Sequence, residues 1–140
     1  MSYETKNIRN IALLGHGNNG KTSLAESMLY VTGAIDRLGK VADGNTVCDY
    51  DAEEIARQIT IATSIAPVSY DGCKINVLDC PGFFDFVGDA LCALRAVEAG
   101  MIVTSAKDTG ESIPVGAQRC WNYLKACLLY TSPSPRDISG

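Results

Sequence analysis

No two of the six cysteines, Cys48, Cys73, Cys80, Cys92, Cys120 and Cys127, stand in a C-x-x-C pair, and His16 is the only histidine. That combination offers neither the ligand set of a zinc site nor a disulfide framework, so reduced thiols in a cytoplasmic protein are the simpler expectation. Cations are in the minority, 12 Lys and Arg against 16 Asp and Glu, for a net charge of -4. A broad nucleic-acid-binding face needs clustered basic residues, which excludes DNA as a partner and requires any RNA to be met locally. No apolar run reaches the roughly 20 residues that cross a bilayer, and Met1 to Lys6 has no apolar signal core, so no membrane partner is expected.

At 140 residues, with 46% hydrophobic and 20% charged side chains, the chain suits one domain with its own core. Its organising stretch is Gly15-His16-Gly17-Asn18-Asn19-Gly20-Lys21-Thr22, which fits G-x-x-x-x-G-K-[ST]. A phosphate-cradling loop needs glycines because its backbone must turn tightly and aim successive N–H groups at phosphate oxygens with no Cβ in the way. Gly15 and Gly20 supply that freedom, and residues 16–19 supply backbone between them. Lys21 adds a charge worth about 4 kcal/mol against one phosphate charge at roughly 4 Å and an effective dielectric near 20. Thr22 offers a hydroxyl to Mg²⁺, and Ser23 completes the cofactor-binding set. A glycine-rich surface turn is the bland alternative. The context argues against it: Ile8 to Leu14 is an apolar run of strand length, and Leu24, Ala25, Met28 and Leu29 recur at helical spacing. Strand, loop and helix follow in order, and the helix N-terminus adds partial positive charge where phosphates would sit.

Residues 32–60 run polar and Gly-rich, a connection long enough to predict a functional lid or a disordered segment. Its acidic run from Asp49 to Glu54 reads as solvated loop charge. Ile61, Thr63 and Ile65 alternate, Asp71-Gly72 is a tight hairpin signal, and Lys74 to Leu78 returns, so residues 61–79 predict an antiparallel pair. The return strand ends on Asp79, at the carboxyl edge where ligands of open α/β sheets bind and a carboxylate can hold a Mg²⁺-bound water. Gly82 leaves its N–H bare enough to meet a terminal phosphate. Alone, Asp79-Cys80-Pro81-Gly82 is a strand end and a Pro-Gly turn; behind a phosphate loop it becomes a metal-and-switch motif. Phe86, Val87, Ala90, Leu91, Leu94 and Val97 predict an amphipathic helix, Met101 to Ala106 a buried strand, and Pro114 the start of a helix carrying Ala117, Trp121 and Leu124. This order predicts an α/β protein with a doubly wound, mostly parallel sheet and one antiparallel edge hairpin.

From residue 7 to about 126 the chain resembles the amino-terminal GTPase domain of the translational GTPases, most closely elongation factor G and its divergent bacterial relatives. The resemblance rests on the phosphate loop, on Arg57-x-Ile59-Thr60-Ile61, similar to the family's first switch, and on Asp79-Cys80-Pro81-Gly82-Phe83-Phe84-Asp85-Phe86, similar to its D-x-P-G-H-x-D-F second switch. It implies a P-loop NTPase fold, GTP/GDP and Mg²⁺ as cofactors, GTP hydrolysis, and a ribosomal partner met through large-subunit RNA and proteins. It implies further that Lys21, Thr60, Gly82 and residue 83 form the catalytic set. Thr22, Thr60 and Asp79 would hold the metal, with Thr60 closing over the terminal phosphate.

Three departures carry consequences. Phe83 stands where the family has the histidine held to position the attacking water, and a phenyl ring has no hydrogen-bonding atom. Gln58 stands in place of the customary glycine before Ile59-Thr60, where a backbone needing positive φ would be strained. The guanine-reading N-K-x-D motif is absent, and the Ser/Pro-rich residues 128–140 break helical and strand patterns. The expectation is a partial GTP-binding domain over residues 1–127, C-terminally truncated, with little preference for GTP over ATP, followed by a non-native or disordered tail that reads as translated adapter sequence. Three functions stay open: a ribosome-stimulated translocation GTPase; a tetracycline-resistance ribosomal protection protein or release-factor GTPase with the same first domain; and a nucleotide-dependent ribosome-binding switch that hydrolyses slowly.

Overall fold

The computed structural model describes residues 2–82 and 86–104 of the chain. The apolar run Ile8–Leu14 forms strand β1, and the glycine-rich loop leads from it into helix α1, Lys21–Val31. Helix α2 (Ala52–Arg57), strands β2 (Ser64–Tyr70) and β3 (Cys73–Asp79), helix α3 (Val87–Leu94) and strand β4 (Ala99–Ile102) follow. Phe83, residues 105 and 106 of the expected fourth strand, the helix expected from Pro114 and residues 128–140 lie outside the described residues.

The sheet order is β2-β3-β1-β4, with β1 parallel to both neighbours and β2 antiparallel to β3. This is the mostly parallel sheet with one edge hairpin that the sequence predicts. The hairpin turns on Asp71 and Gly72, both at positive φ (48° and 73°), the conformation whose twist matches paired strands. Pro67 sits in β2, on the sheet edge, where a missing N–H is tolerated.

Successive strand residues face opposite sides of a sheet, and here each side meets its own helix. Leu13, Val77, Ala66 and Val68 pack with Ala25 and Leu29 of α1. Ala12, Leu14 and Leu78 pack with Ala90 and Ala93 of α3. The described residues are therefore doubly wound. Burial of leucines such as Leu13 and Leu29 contributes roughly 1.5–3 kcal/mol each and fixes β1 between the helices.

Strand bounds differ from the sequence pattern for identifiable reasons. β2 starts at Ser64 rather than at residue 61, because the N–H groups of Ile61 and Ala62 donate to Glu54 Oε1 (3.0 and 3.1 Å) instead of a ladder. β4 starts at Ala99, ahead of Met101, because Glu98 already donates its N–H to the Asn10 carbonyl (3.1 Å) and accepts from Asn10 N–H (2.7 Å).

Residues 32–63 are an ordered lid rather than a bare loop. Glu26 of α1, 1% exposed, accepts from Gly39 N–H (3.1 Å) and Val47 N–H (3.0 Å), which pins the lid's first half to the helix. In the second half Asp51 and Glu54 form a capping box at the start of α2. The solvated acidic run expected there is thus corrected: Asp49 and Glu54 are buried, because each carboxyl has lid N–H or O–H donors to accept from, while Asp51 and Glu53 stay exposed.

Candidate functional site

Three segments converge at the carboxyl ends of β1 and β3: the loop 15–20 with the first turn of α1, the lid around Thr60, and the strand end Asp79 to Gly82. Between them lies a cleft of about 220 Å³, lined among others by Gly17, Asn18, Lys21, Thr22, Thr60 and Gly82.

The loop takes its shape from backbone that a side chain would disturb. Gly20 has φ 91° and is the N-cap of α1, so the first-turn N–H groups of Lys21, Thr22 and Ser23 open toward the cleft. A Cβ on Gly15, at φ 142°, would run into the Val103 carbonyl, to which Asn19 Nδ2 also donates (3.2 Å). That carbonyl fastens the loop to the end of β4. Asn18 carries φ 63° and lines the cleft, while exposed His16 keeps Nδ1 2.9 Å from the Gly17 carbonyl. Lys21, 6% exposed, donates from Nζ to the carbonyls of His16 (2.8 Å) and Gly15 (3.0 Å), holding its charge inside the loop.

Gly82 comes directly over this loop. A Cβ there would lie 2.5 Å from Gly17 N and closer still to Lys21 Nζ, so only glycine permits the approach. Of the residues expected at the site, Gly17, Asn18, Gly20 to Ser23, Thr60 and Gly82 line the cleft and Asp79 meets it through Thr22; Gly15, His16 and Asn19 belong to the loop without lining the cleft, and Phe83 lies outside the described residues.

Four oxygens form the heart of the arrangement. The Thr22 hydroxyl donates to Asp79 Oδ2 (2.6 Å), the Thr60 hydroxyl donates to Asp49 Oδ1 (2.8 Å), and the two hydroxyl oxygens are 3.0 Å apart. Each hydroxyl has one proton, so with both carboxyls ionised the contact between the threonines sets acceptor against acceptor. Asp79 is fully buried, and among the described residues its Oδ1 has no hydrogen-bond partner. Burial pushes the Asp79 carboxyl up to about 6; the Thr22 hydrogen bond and Lys21 oppose the rise and the Asp49 charge adds to it. Asp49 is also raised, first by burial, with the Thr60 hydroxyl opposing and Glu54 adding. The same buried negative charge, behind desolvation, drives the Cys48 thiol up to about 12.

The sequence pattern does not single out Asp49 as a site residue. Its local signal, an acid beside exposed Tyr50 in a Gly-rich stretch, looks like any loop charge, and only the fold of the lid carries it inward.

A nucleotide phosphate loop on a doubly wound sheet, faced by a lid threonine and a strand-end aspartate, defines a P-loop nucleotide-binding domain. The sequence pattern of the elongation factor Tu GTP binding domain matches residues 6–124, and the chain belongs to that family of translational GTPases. It is 40% identical over 101 residues to an elongation factor G-like protein of Mycobacterium tuberculosis, covering 72% of this chain and 14% of that protein. It is 41% identical over 105 residues to the tetracycline resistance protein TetS of Listeria monocytogenes, covering 75% of this chain and 16% of the relative. A crystal structure of a Thermus thermophilus protein superposes with a TM-score of 0.75 at 39% identity, over 85% of this chain and 18% of that one. The chain thus spans about a sixth of the length of these relatives. The GTPase-like domain of S. cerevisiae Ski7, solved bound to GTP, shares the fold at 18% identity and a TM-score of 0.59, over 69% of this chain and 25% of that one. Among the described residues no helix is long and apolar enough to cross a membrane.

Proposed function

We propose that this chain is the nucleotide-binding part of an elongation factor G-like translation factor that binds GTP with Mg²⁺ and hydrolyses it. The observation that carries the proposal is the convergence of Thr22, Thr60 and Asp79 at one point beside the phosphate loop. Oxygens short of protons, together with the orphaned Asp79 Oδ1, are a donor set that suits a hard divalent cation. Thr22 and Thr60 would hold Mg²⁺ by their hydroxyls, and Asp79 and Asp49 would accept from its water ligands. When bound, the metal neutralises charge on the β- and γ-phosphates.

The chain's own groups account for the rest. Backbone N–H groups from Gly15 to Ser23 would wrap the phosphates, and Lys21 would turn its ammonium from the loop carbonyls toward the terminal phosphate. The Gly82 N–H, already over the loop, would donate to a γ-phosphate oxygen. Thr60 would report the γ-phosphate to the lid, because releasing it removes the partner that holds the lid down. Phe83 contributes no hydrogen bond by its side chain, so turnover without a partner is slow. The ribosome, through large-subunit RNA and proteins, is the proposed partner. Likeness to the elongation factor G-like protein favours translocation, and likeness to TetS favours ribosomal protection as the second reading.

Titration with a fluorescent GTP analogue, with Mg²⁺ or EDTA, tests the proposal. Wild type should bind in a Mg²⁺-dependent way. Asp79→Asn and Thr22→Ala should lose at least about tenfold in affinity in Mg²⁺, roughly 1.4 kcal/mol, and little in EDTA. Metal-independent binding in wild type, or equal binding by all three proteins in Mg²⁺, counts against it.

A further inference from the structure

Gln58 lines the cleft with an exposed side chain on a left-handed backbone. It caps the C-terminus of α2 at φ 55° and ψ 36°, the left-handed region in which glycine is unstrained and a branched or long side chain is not. Its N–H donates to the Ile55 carbonyl at 3.3 Å, and the next N–H, of Ile59, donates to the Glu54 carbonyl at 3.2 Å, so the strained turn is held on the helix side. On the other side Thr60 is fixed by Asp49 and Thr22. The position is therefore firm, yet the side chain is exposed, and among the described residues no hydrogen bond engages its carboxamide.

That residue lines the cleft together with Thr60, Gly82 and residues of the phosphate loop. In-line displacement at a terminal phosphate brings the nucleophile in from the side away from the leaving oxygen, which would point back into the loop, so a lid residue of the cleft is where a group that meets the nucleophile can stand. The other polar side chains of the lid wall, Thr60 and Asp49, are occupied with each other and with Thr22. A carboxamide supplies an acceptor and a donor from one rigid plane, which is what fixing a water against a phosphate oxygen takes.

We propose that Gln58 is a catalytic residue of this chain: its carbonyl oxygen accepts a hydrogen bond from the attacking water while its NH₂ donates to a γ-phosphate oxygen. The inference rests on the GTPase reading above. In the step, a lone pair of the water oxygen forms the new bond to the γ-phosphorus. The bond from that phosphorus to the β–γ bridging oxygen breaks, and its electron pair stays on GDP. A water proton passes to a γ-phosphate oxygen, giving inorganic phosphate, and Gln58 is unchanged at the end. Strain at φ 55° is then the condition for placing the amide two residues before Thr60.

The test sets Gln58→Gly and Gln58→Ala beside wild type in the full chain, with three readouts: single-turnover hydrolysis of γ-labelled GTP at saturating nucleotide and Mg²⁺, affinity for a fluorescent GTP analogue, and the melting temperature without nucleotide. Both variants should lose at least about tenfold in hydrolysis rate, with a much smaller loss in affinity from the missing NH₂ donor. Gln58→Gly should nonetheless melt roughly 3 °C higher, since glycine relieves the left-handed turn, whereas Gln58→Ala should not. A rate in Gln58→Gly equal to or above wild type overturns the assignment and leaves Gln58 as a strained cap. Binding without turnover in wild type overturns it together with the hydrolysis on which it rests, and failure of wild type to bind nucleotide refutes that reading itself.

Discussion

With both carboxyls ionised, the two hydroxyl oxygens 3.0 Å apart each donate to a carboxylate and have no proton left to share between them until a cation or an extra proton arrives. Asp79 should therefore show in a pH profile. Its folded pKa of about 6 lies above the ordinary 3.8, so the folded state holds that proton more tightly than the unfolded chain does. The stability it contributes is complete below pH 4 and is lost as pH rises through about 6. Without divalent cations, wild type should lose on the order of 3 kcal/mol relative to Asp79→Asn between pH 4 and pH 7, as read by urea denaturation in EDTA. Parallel profiles for the two proteins would contradict this. Gly82 gives the second residue-scale prediction. A methyl there meets Gly17 N and Lys21 Nζ, so Gly82→Ala should push the strand-end segment off the loop. Overpacking of this kind costs about 1–3 kcal/mol, and nucleotide affinity should fall with it in the same analogue titration.

At the scale of elements the lid is where sequence and structure part. The phosphate loop, the hairpin and Asp79 were legible because each is a local pattern: glycines at fixed spacing, a two-residue turn, an acid after an apolar strand. Even α2 left a trace, since Asp51 and Glu54 have the D-x-x-E form of a capping box, but six residues are too few for periodicity to register. Glu26 and Asp49 left none. Their burial depends on donors 11 to 21 residues away in the chain, Gly39 and Val47 for one and Thr60 for the other, and no window of sequence contains that geometry. Glu54 joins α2 to the strand entrance, accepting from the N–H groups of Asp51, Ile61 and Ala62. Glu54→Ala leaves these donors without their acceptor and should cost about 1–3 kcal/mol. The expected local signature is faster amide exchange at Ile61 and Ala62, with β1 unaffected; unchanged protection there would show that water replaces the carboxylate.

For the molecule as a whole, sheet order sets the gradient of stability. Strands β1 and β3 are interior, each paired on both edges, while β2 lies on an edge and the lid is held by a few side-chain acceptors. Native-state hydrogen exchange should find the slowest amides in Ala12 to Leu14 and Val77 to Asp79, and lid amides exchanging by smaller openings. A uniform exchange profile would argue against this layering. The two carboxylates that clasp the lid also divide it. Glu26 staples both margins of residues 40–46 to α1, and Glu54 welds α2 to residues 61–62. If Thr60 swings away on loss of a phosphate, the first block stays with the helix and the second moves as one piece. The bending then has to occur between Val47 and Asp51 and again at Thr63, whose N–H is hooked to Asp89 at the start of α3. Thr63 is thus the place where a displacement at Thr60 would meet the helix on the far face of the sheet.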